Sequence, residues 1–286
     1  MITINQISAL RDFVLSSKQA KKTLGFVPTM GHLHQAHLDL VKLAQNTADH
    51  VIVSIYVNPL QFGENEDLDS YPRTLEDDLA KLKNLNVTAV FIPDDQTMYC
   101  NGKNQSTHVL VPFLGDEHCG KSRPQFFPGI STVVTKLFNL VQPDFAIFGE
   151  KDYQQLAIIK KMVADLFLPI TILSIPITRE PDGLAMSSRN SYLTTEQRIK
   201  APFLFKTLQQ AKQDIERGLN ISHVIQSAKN ELKENGFEVD YFNLCDTDNL
   251  EPINQTRSNM VILAATYLGK TRLIDNLTIH LPETLN

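Results

Sequence analysis

Two histidines, His34 and His37, follow a short apolar run and a tight Met30-Gly31 element in TLGFVPTMGHLHQAH, residues 23–37. A strand, a turn and a helix fit this pattern, with both imidazoles on one face of the helix's first turn. The N–H groups of a first turn have no intrahelical partners, so phosphate or carboxylate is favoured there. Protonatable rings add to that preference. Helix capping or contacts near the core are the other uses open to the same two rings. A zinc site would need more ligands, and His118-Cys119 does not supply a structural-zinc spacing.

Other polar stretches carry candidate chemistry. GEKDYQQ, residues 149–155, puts Gly149, Lys151 and Asp152 just after an apolar run, with Gln155 one turn beyond Lys151. An ammonium there neutralises charge building on a phosphate or carboxylate, although a solvated turn explains it as well. DGLAMSSRN, residues 182–190, offers the Ser187 and Ser188 hydroxyls and the Arg189 guanidinium to a polyphosphate, beside Met186. Gly183 would let this loop move, and a serine-rich interdomain turn is the alternative. Ser187 has no histidine and acid in triad order, so it is not read as a nucleophile. Asn58 and Gln61 stand near apolar Pro28, Met30 and Phe62, a mixture suited to a small substrate bearing hydroxyls and methyls. Asp77 and Asp78 are either favourable charges at a helix start or contacts for a magnesium ion. No GxGxxG follows the first strand and no GxxxxGK[ST] occurs, which disfavours dinucleotide and P-loop binding.

The elements that must position these residues alternate. Strands are predicted at 24–27, 51–57, 89–92, 109–113, 145–148 and 170–177. Helices are predicted at 7–19, from the histidines to 48, at 74–85 with Thr74 as cap, at 131–140 and at 153–166. This order predicts an α/β domain with a parallel sheet, whose ligands lie beyond the carboxyl ends of the strands. Residues 60–73 form a polar, irregular candidate rim or lid. After Asn190 come a helix capped at Thr194 or Thr195, helices to about 218 and over 222–235, and strands at 238–244, 260–267 and 271–274. This is a smaller α+β domain, giving domains of 1–178 and 179–286.

Composition sets outer bounds. The chain has 286 residues, 42% of them hydrophobic and 21% charged, which is ordinary for a globular protein. Its 27 basic against 32 acidic residues give a net charge of −5, against a general nucleic-acid binder. No apolar run of about 20 residues predicts a membrane span. The amino terminus lacks the order of a secretion signal, and three scattered cysteines fit a cytoplasmic location.

Taken together, PTMGHLHQAH (28–37), SIYVNPLQF (54–62), YPR (71–73), KSRPQFFPGISTVVTKLFNLVQPD (121–144), FGEKDYQQL (148–156) and DGLAMSSRN (182–190) closely resemble the pantoate–β-alanine ligases. GKTRLIDN (269–276) continues the match less distinctively. The resemblance implies a Rossmann-like ATP- and pantoate-binding domain with helices on both sheet faces, and a smaller C-terminal domain closing over the active site. It implies that MgATP activates (R)-pantoate as an acyl adenylate, which the amine of β-alanine then attacks to release AMP and pantothenate. By position, His34, His37 and Lys151 are implied as catalytic. Met30, Gly149, Asp152, Met186, Ser187, Ser188 and Arg189 join them around ATP, with Asp152 at the ribose and Met186 beside adenine. Gln61, Gln155, Asn58, Met30 and Phe62 are implied around pantoate. A homodimer is implied too, since the family usually forms one. Three positions depart from its pattern: His32 replaces alanine, Ala36 replaces glycine, and Phe126 stands where many members have histidine. A nucleotidylyltransferase acting on a phosphate ester, and a non-catalytic nucleotide-binding protein, remain as other readings of the residues.

Overall fold

The computed structural model describes residues 1–63 and 66–282. Two compact units are present, one of residues 1–150 and 154–176, the other of residues 151–153 and 177–286. The first is built on six strands, β1 (Ile2–Ile4), β2 (Leu24–Thr29), β3 (His50–Ile55), β4 (Ala89–Phe91), β5 (Phe145–Gly149) and β6 (Thr171–Ile175). They lie in the order β1-β4-β3-β2-β5-β6, and every pairing is parallel. From β2 the chain builds β3 and β4 on one side, then returns to lay β5 and β6 on the other. The order reverses at β2, so a crevice is expected beyond its carboxyl end.

The helices of this unit are α1 (Ile7–Gln19), α2 (Gln35–Thr47), α3 (Leu75–Asn84), α4 (Asp95–Met98), α5 (Cys119–Ser122), α6 (Phe126–Val141) and α7 (Tyr153–Asp165). They cover both faces of the sheet. Alternation along β2 sends Val27 into a cluster with Leu40, Val41 and Ala44 of α2 and Leu82 of α3. It sends Phe26 the other way, edge-on to Phe138 of α6 with ring centroids 6.3 Å apart. Two covered faces explain why the strands read as continuous apolar runs.

The second unit contains α8 (Thr195–Lys200), α9 (Phe203–Glu216) and α10 (Ile221–Glu234), then β7 (Glu238–Asp246), β8 (Asn259–Leu268) and β9 (Thr271–His280) as an antiparallel meander. Thr194 and Gln197 form a capping box that starts α8. Leu204, Leu208 and Ala211 of α9 pack with Phe242, Ile262 and Leu273 of the sheet.

Several expectations need correction. Residues 109–113 form no strand: Val109 N–H donates to Thr132 Oγ1 and its carbonyl accepts from Ser131 Oγ, so α6 side chains replace a sheet partner. Helix α6 starts at Phe126, five residues earlier than expected, because Pro128 falls in the first turn, where its missing N–H has no bond to lose. Thr74 makes no side-chain cap to α3. Strand β1 was not foreseen, since its pairing with β4 joins residues far apart in the chain.

Candidate active site

Beyond Thr29, at the carboxyl end of β2, the chain turns sharply at Gly31 (φ +82°) and His32 (φ +50°). A Cβ on Gly31 would stand 3.1 Å from Asp78 Oδ2 and 3.2 Å from Ile55 Cγ2, so only glycine fits. Asp78 is 1% exposed and its carboxylate accepts from the backbone N–H groups of His32 (2.8 Å) and Leu33 (2.7 Å). Thr74 Oγ1 reaches the same carboxylate at 3.3 Å. One helical turn on, Lys81 Nζ donates to the Leu33 carbonyl at 2.7 Å. Helix α3 therefore grips the loop with a carboxylate and an ammonium.

The gripped loop delivers the histidines. His34 is the extended N-cap residue of α2, outside the helix proper, and His37 is its third helical residue. His34 N–H donates to His37 Nδ1 at 3.3 Å, and the ring centroids are 4.1 Å apart. With Nδ1 accepting, the His37 proton sits on Nε2 in the neutral ring.

The neighbouring strand end carries a second polar group. Asn58 is 1% exposed, contrary to the expectation that it faces a substrate. Its Oδ1 accepts from Tyr99 Oη (2.7 Å) and from Leu60 N–H (3.4 Å), while Nδ2 donates to the Gly129 carbonyl and to Gln61 Oε1, both at 3.1 Å. The whole amide is spent on the protein. Burial pushes the Tyr99 hydroxyl pKa up, with the Asp95 charge adding to it, so Tyr99 stays a donor. Met30 and Phe62 are half-buried, and Phe62 lies edge-on to Tyr71 at 5.6 Å. Gly149 closes β5, and half-buried Gln155 lies in the first turn of α7.

Two further anchors stand in this unit. Gln154, 5% exposed, accepts from Cys119 N–H (3.2 Å) and donates to the Leu114 and Glu117 carbonyls (2.8 Å each), holding the loop before α5. Arg123 pairs with Glu66, donates to the Gln61 carbonyl at 3.1 Å and stacks 3.5 Å above the Phe126 ring. Phe126 thus serves as a platform for a cation. A neighbouring glutamine and a lone arginine gave no spacing signal for either role.

The second unit holds Lys151, Asp152, Met186, Ser187, Ser188 and Arg189. Residues 179–185 form a small antiparallel turn, bridged between Arg179 and Ala185. Gly183 (φ +95°) packs so that a Cβ would stand 2.8 Å from the Phe205 ring. It makes a tight corner against α9. Met186 N–H donates to the Thr178 carbonyl at 3.0 Å, and Ser187 Oγ accepts from Arg189 N–H at 3.3 Å at the start of a 3-10 turn, Ser188–Tyr192.

Behind this loop, Arg179 meets the Asp275 carboxylate through two bonds (2.7 and 2.9 Å), donates to the Gly183 carbonyl (3.0 Å) and stacks on Phe205 (3.5 Å). Burial pushes the Asp275 carboxyl up, opposed first by the Arg179 guanidinium. Asn276 N–H donates to Asp275 at 2.8 Å, and Asn276 Nδ2 donates to the Lys151 carbonyl at 3.0 Å. Lys151, Ser187, Asn190 and Asp275 line one small pocket. GKTRLIDN, the least distinctive motif, therefore supplies the support for Lys151.

Among the described residues no cluster of three or more His, Cys, Asp or Glu side chains is arranged to hold a metal. Asp77 is exposed and Asp78 is engaged by the loop, so these carboxylates do not fit a resident magnesium site.

A family model described as pantoate-beta-alanine ligase matches residues 2–278. The chain belongs to this family. A pantothenate synthetase of Hahella chejuensis is 51% identical over 98% of this chain and 100% of its own length. One from Shewanella woodyi is 48% identical over 97% and 99%. The crystal structure of the pantothenate synthetase from Thermus thermophilus has a TM-score of 0.91 at 39% identity, covering 97% of this chain and 99% of that one. A pantoate-beta-alanine ligase from Francisella tularensis, crystallised with β,γ ATP and β-alanine, has a TM-score of 0.82 at 33% identity, with 97% of each chain covered. As a pantoate–β-alanine ligase, the chain is an enzyme that ligates pantoate and β-alanine to pantothenate with ATP. Its parallel-sheet unit and smaller antiparallel-sheet unit are those of its solved relatives.

Proposed function

We propose that this ligase works through a pantoyl adenylate and that the residues singled out above divide the work. The (R)-pantoate carboxylate attacks the α-phosphorus of ATP, the bond to the β,γ-phosphates breaks, and diphosphate leaves. The β-alanine amine then attacks the acyl carbon, AMP departs, and the amine loses a proton. No protein nucleophile is required, so positioning and charge neutralisation carry the rate. The carrying observation is the bonded His34–His37 pair beyond the end of β2, where both rings stand at the first turn of α2, whose N–H groups favour a phosphate.

Lys151, held by Asn276, neutralises charge at the α-phosphate as it is attacked. Ser187, Ser188 and Arg189 take the polyphosphate, while Gly149, Asp152 and Met186 take the nucleoside and Met30 borders both substrates. Gln61, Gln155 and Phe62 orient pantoate, and Asn58 acts through Gln61. Magnesium arrives with ATP as part of the substrate, in keeping with its preference for phosphate oxygens and water over an all-protein cage.

Two wider features belong to this reading. Strand β6 ends the sheet with an open edge, and Phe167 (91% exposed) and Leu166 (47%) stand beside it, which supports a homodimer. The cytoplasm suits a chain with no disulfide among its described cysteines. Among the described residues, no helix is long and apolar enough to cross a membrane.

The test is diphosphate release from MgATP and (R)-pantoate, with and without β-alanine. One equivalent released in a burst without the amine, becoming turnover with it, supports the adenylate. Release that needs no pantoate, or that waits for the amine, rejects it.

A further inference from the structure

We propose that Tyr99 is a positioning residue for pantoate: acting through Asn58, it holds the Gln61 amide so that its NH2 end is the one offered to the substrate. The inference rests on Gln61 as a pantoate contact. A glutamine amide on its own is ambivalent, because a half-turn about its last bond exchanges an acceptor for two donors. Here a directed chain removes the choice. Tyr99 Oη donates to Asn58 Oδ1 at 2.7 Å, Asn58 Nδ2 donates to Gln61 Oε1 at 3.1 Å, and the second hydrogen of Nδ2 goes to the Gly129 carbonyl. Gln61 Nε2 makes no hydrogen bond to any described residue.

Each link is held from behind. Tyr99 is 4% exposed, and Lys136 Nζ sits 4.3 Å from its ring centroid while donating to the Met98 carbonyl at 2.7 Å. Among the described residues, the only other donor to Asn58 Oδ1 is Leu60 N–H at a long 3.4 Å, so the Tyr99 hydroxyl is its principal partner. Without it, a buried amide oxygen is left under-satisfied, and Asn58 gains by rotating away from Gln61. Gln61 therefore meets pantoate with donors only and takes one of its carboxylate or hydroxyl oxygens as acceptor. The chemistry selects substrates that place an oxygen lone pair at that spot.

The experiment is a double-mutant cycle on the whole enzyme with Tyr99→Phe, Gln61→Ala and the double variant, measuring KM and kcat for pantoate and for ATP separately. Tyr99→Phe is expected to raise the pantoate KM about tenfold, the scale of one buried hydrogen bond, with the ATP KM within about twofold of wild type. In the Gln61→Ala background the same change is expected to add less than about twofold, because its route is gone. Equal effects of Tyr99→Phe in both backgrounds, or equal shifts in both KM values, overturn the proposal. A Gln61→Ala enzyme with unchanged pantoate KM and kcat removes the Gln61 reading instead, and the Tyr99 proposal with it. Should Tyr99→Phe not fold, Asn58→Asp keeps the Tyr99 bond but removes both donors. Its pantoate KM must then rise without the ATP KM following, and an unchanged pantoate KM overturns the proposal.

Discussion

Asp78→Asn is the sharpest test of how the histidine loop is held. The carboxylate takes two backbone N–H groups at 2.8 and 2.7 Å in a site that is 1% exposed. Asparagine keeps one acceptor and turns an NH2 against the other donor. A buried donor without a partner costs about 1–3 kcal/mol, and the surviving bond loses its charge assistance. The loop is also held against its own preference, because His32 at φ +50° costs about 1–2 kcal/mol relative to ordinary backbone. The loss is therefore about 3 kcal/mol, larger than the strain being contained, and the turn should relax. If that free energy is withdrawn from the placement of His34 and His37, adenylation slows about 100-fold. The midpoint of thermal unfolding should fall by about 5–10 °C. Single-turnover diphosphate release measures the first effect, calorimetry the second, and imidazole nitrogen NMR reads whether the His37 Nδ1 bond survives. A variant that is less stable yet forms adenylate at the wild-type rate with an unchanged His37 spectrum would refute the argument, because the clamp would then support the fold and not the site.

Lys151→Ala should lower the adenylation rate by about two orders of magnitude or more with little change in stability; near-normal diphosphate release would remove Lys151 from the chemistry. Gly129→Ala should push the Pro59–Gln61 turn away from α6, since the added Cβ overlaps the Leu60 carbonyl. The expected readout is a pantoate KM raised about tenfold or more, or loss of folded protein, and wild-type kinetics would contradict it. Asp182 is held below the usual carboxylate range chiefly by its hydrogen bond to Arg198. Its folded value lies below its unfolded one, so the pair stabilises above about pH 4 and the effect is lost as pH falls through the lowered value. The two groups are 44% and 37% exposed, which limits the pair to under about 1 kcal/mol. Asp182→Asn should accordingly shift the unfolding midpoint only slightly at pH 7, and by less at a pH below the lowered value. A large shift at either pH would mean that the turn leans on this pair.

Strands β2 to β6 of the parallel sheet were legible because two covered faces demand continuous apolar runs, and the candidate residues fell where those runs ended. His34 and His37 were readable as a pair from their spacing alone. What the spacing did not carry was the direction of support. Asp78 lies in a helix start where acidic residues are ordinary, and nothing local says that its carboxylate reaches back 45 residues to Leu33. Asn58 looked like a substrate contact because polar residues at strand ends often are. Its burial depends on Tyr99 and Gly129, which arrive from much later in the chain. Residues 109–113 misled for the same reason, since side chains of α6 satisfied a backbone that read as a strand. Local chemistry was visible, and long-range hydrogen bonding was not.

Residues 151–153 fold with the second unit although the chain on either side of them, residues 1–150 and 154–176, folds with the first. Inheritance follows the chain, and architecture here does not. A recombination event joining the first 176 residues of one relative to the remainder of another would look like a clean exchange of modules. It would nonetheless pair the Lys151 of one lineage with the Asn276 of the other, across the bond that holds the lysine's backbone. The two ancestral halves are thus coupled at the residue proposed to neutralise the attacked phosphate, and a hybrid inherits any mismatch between them first at that point.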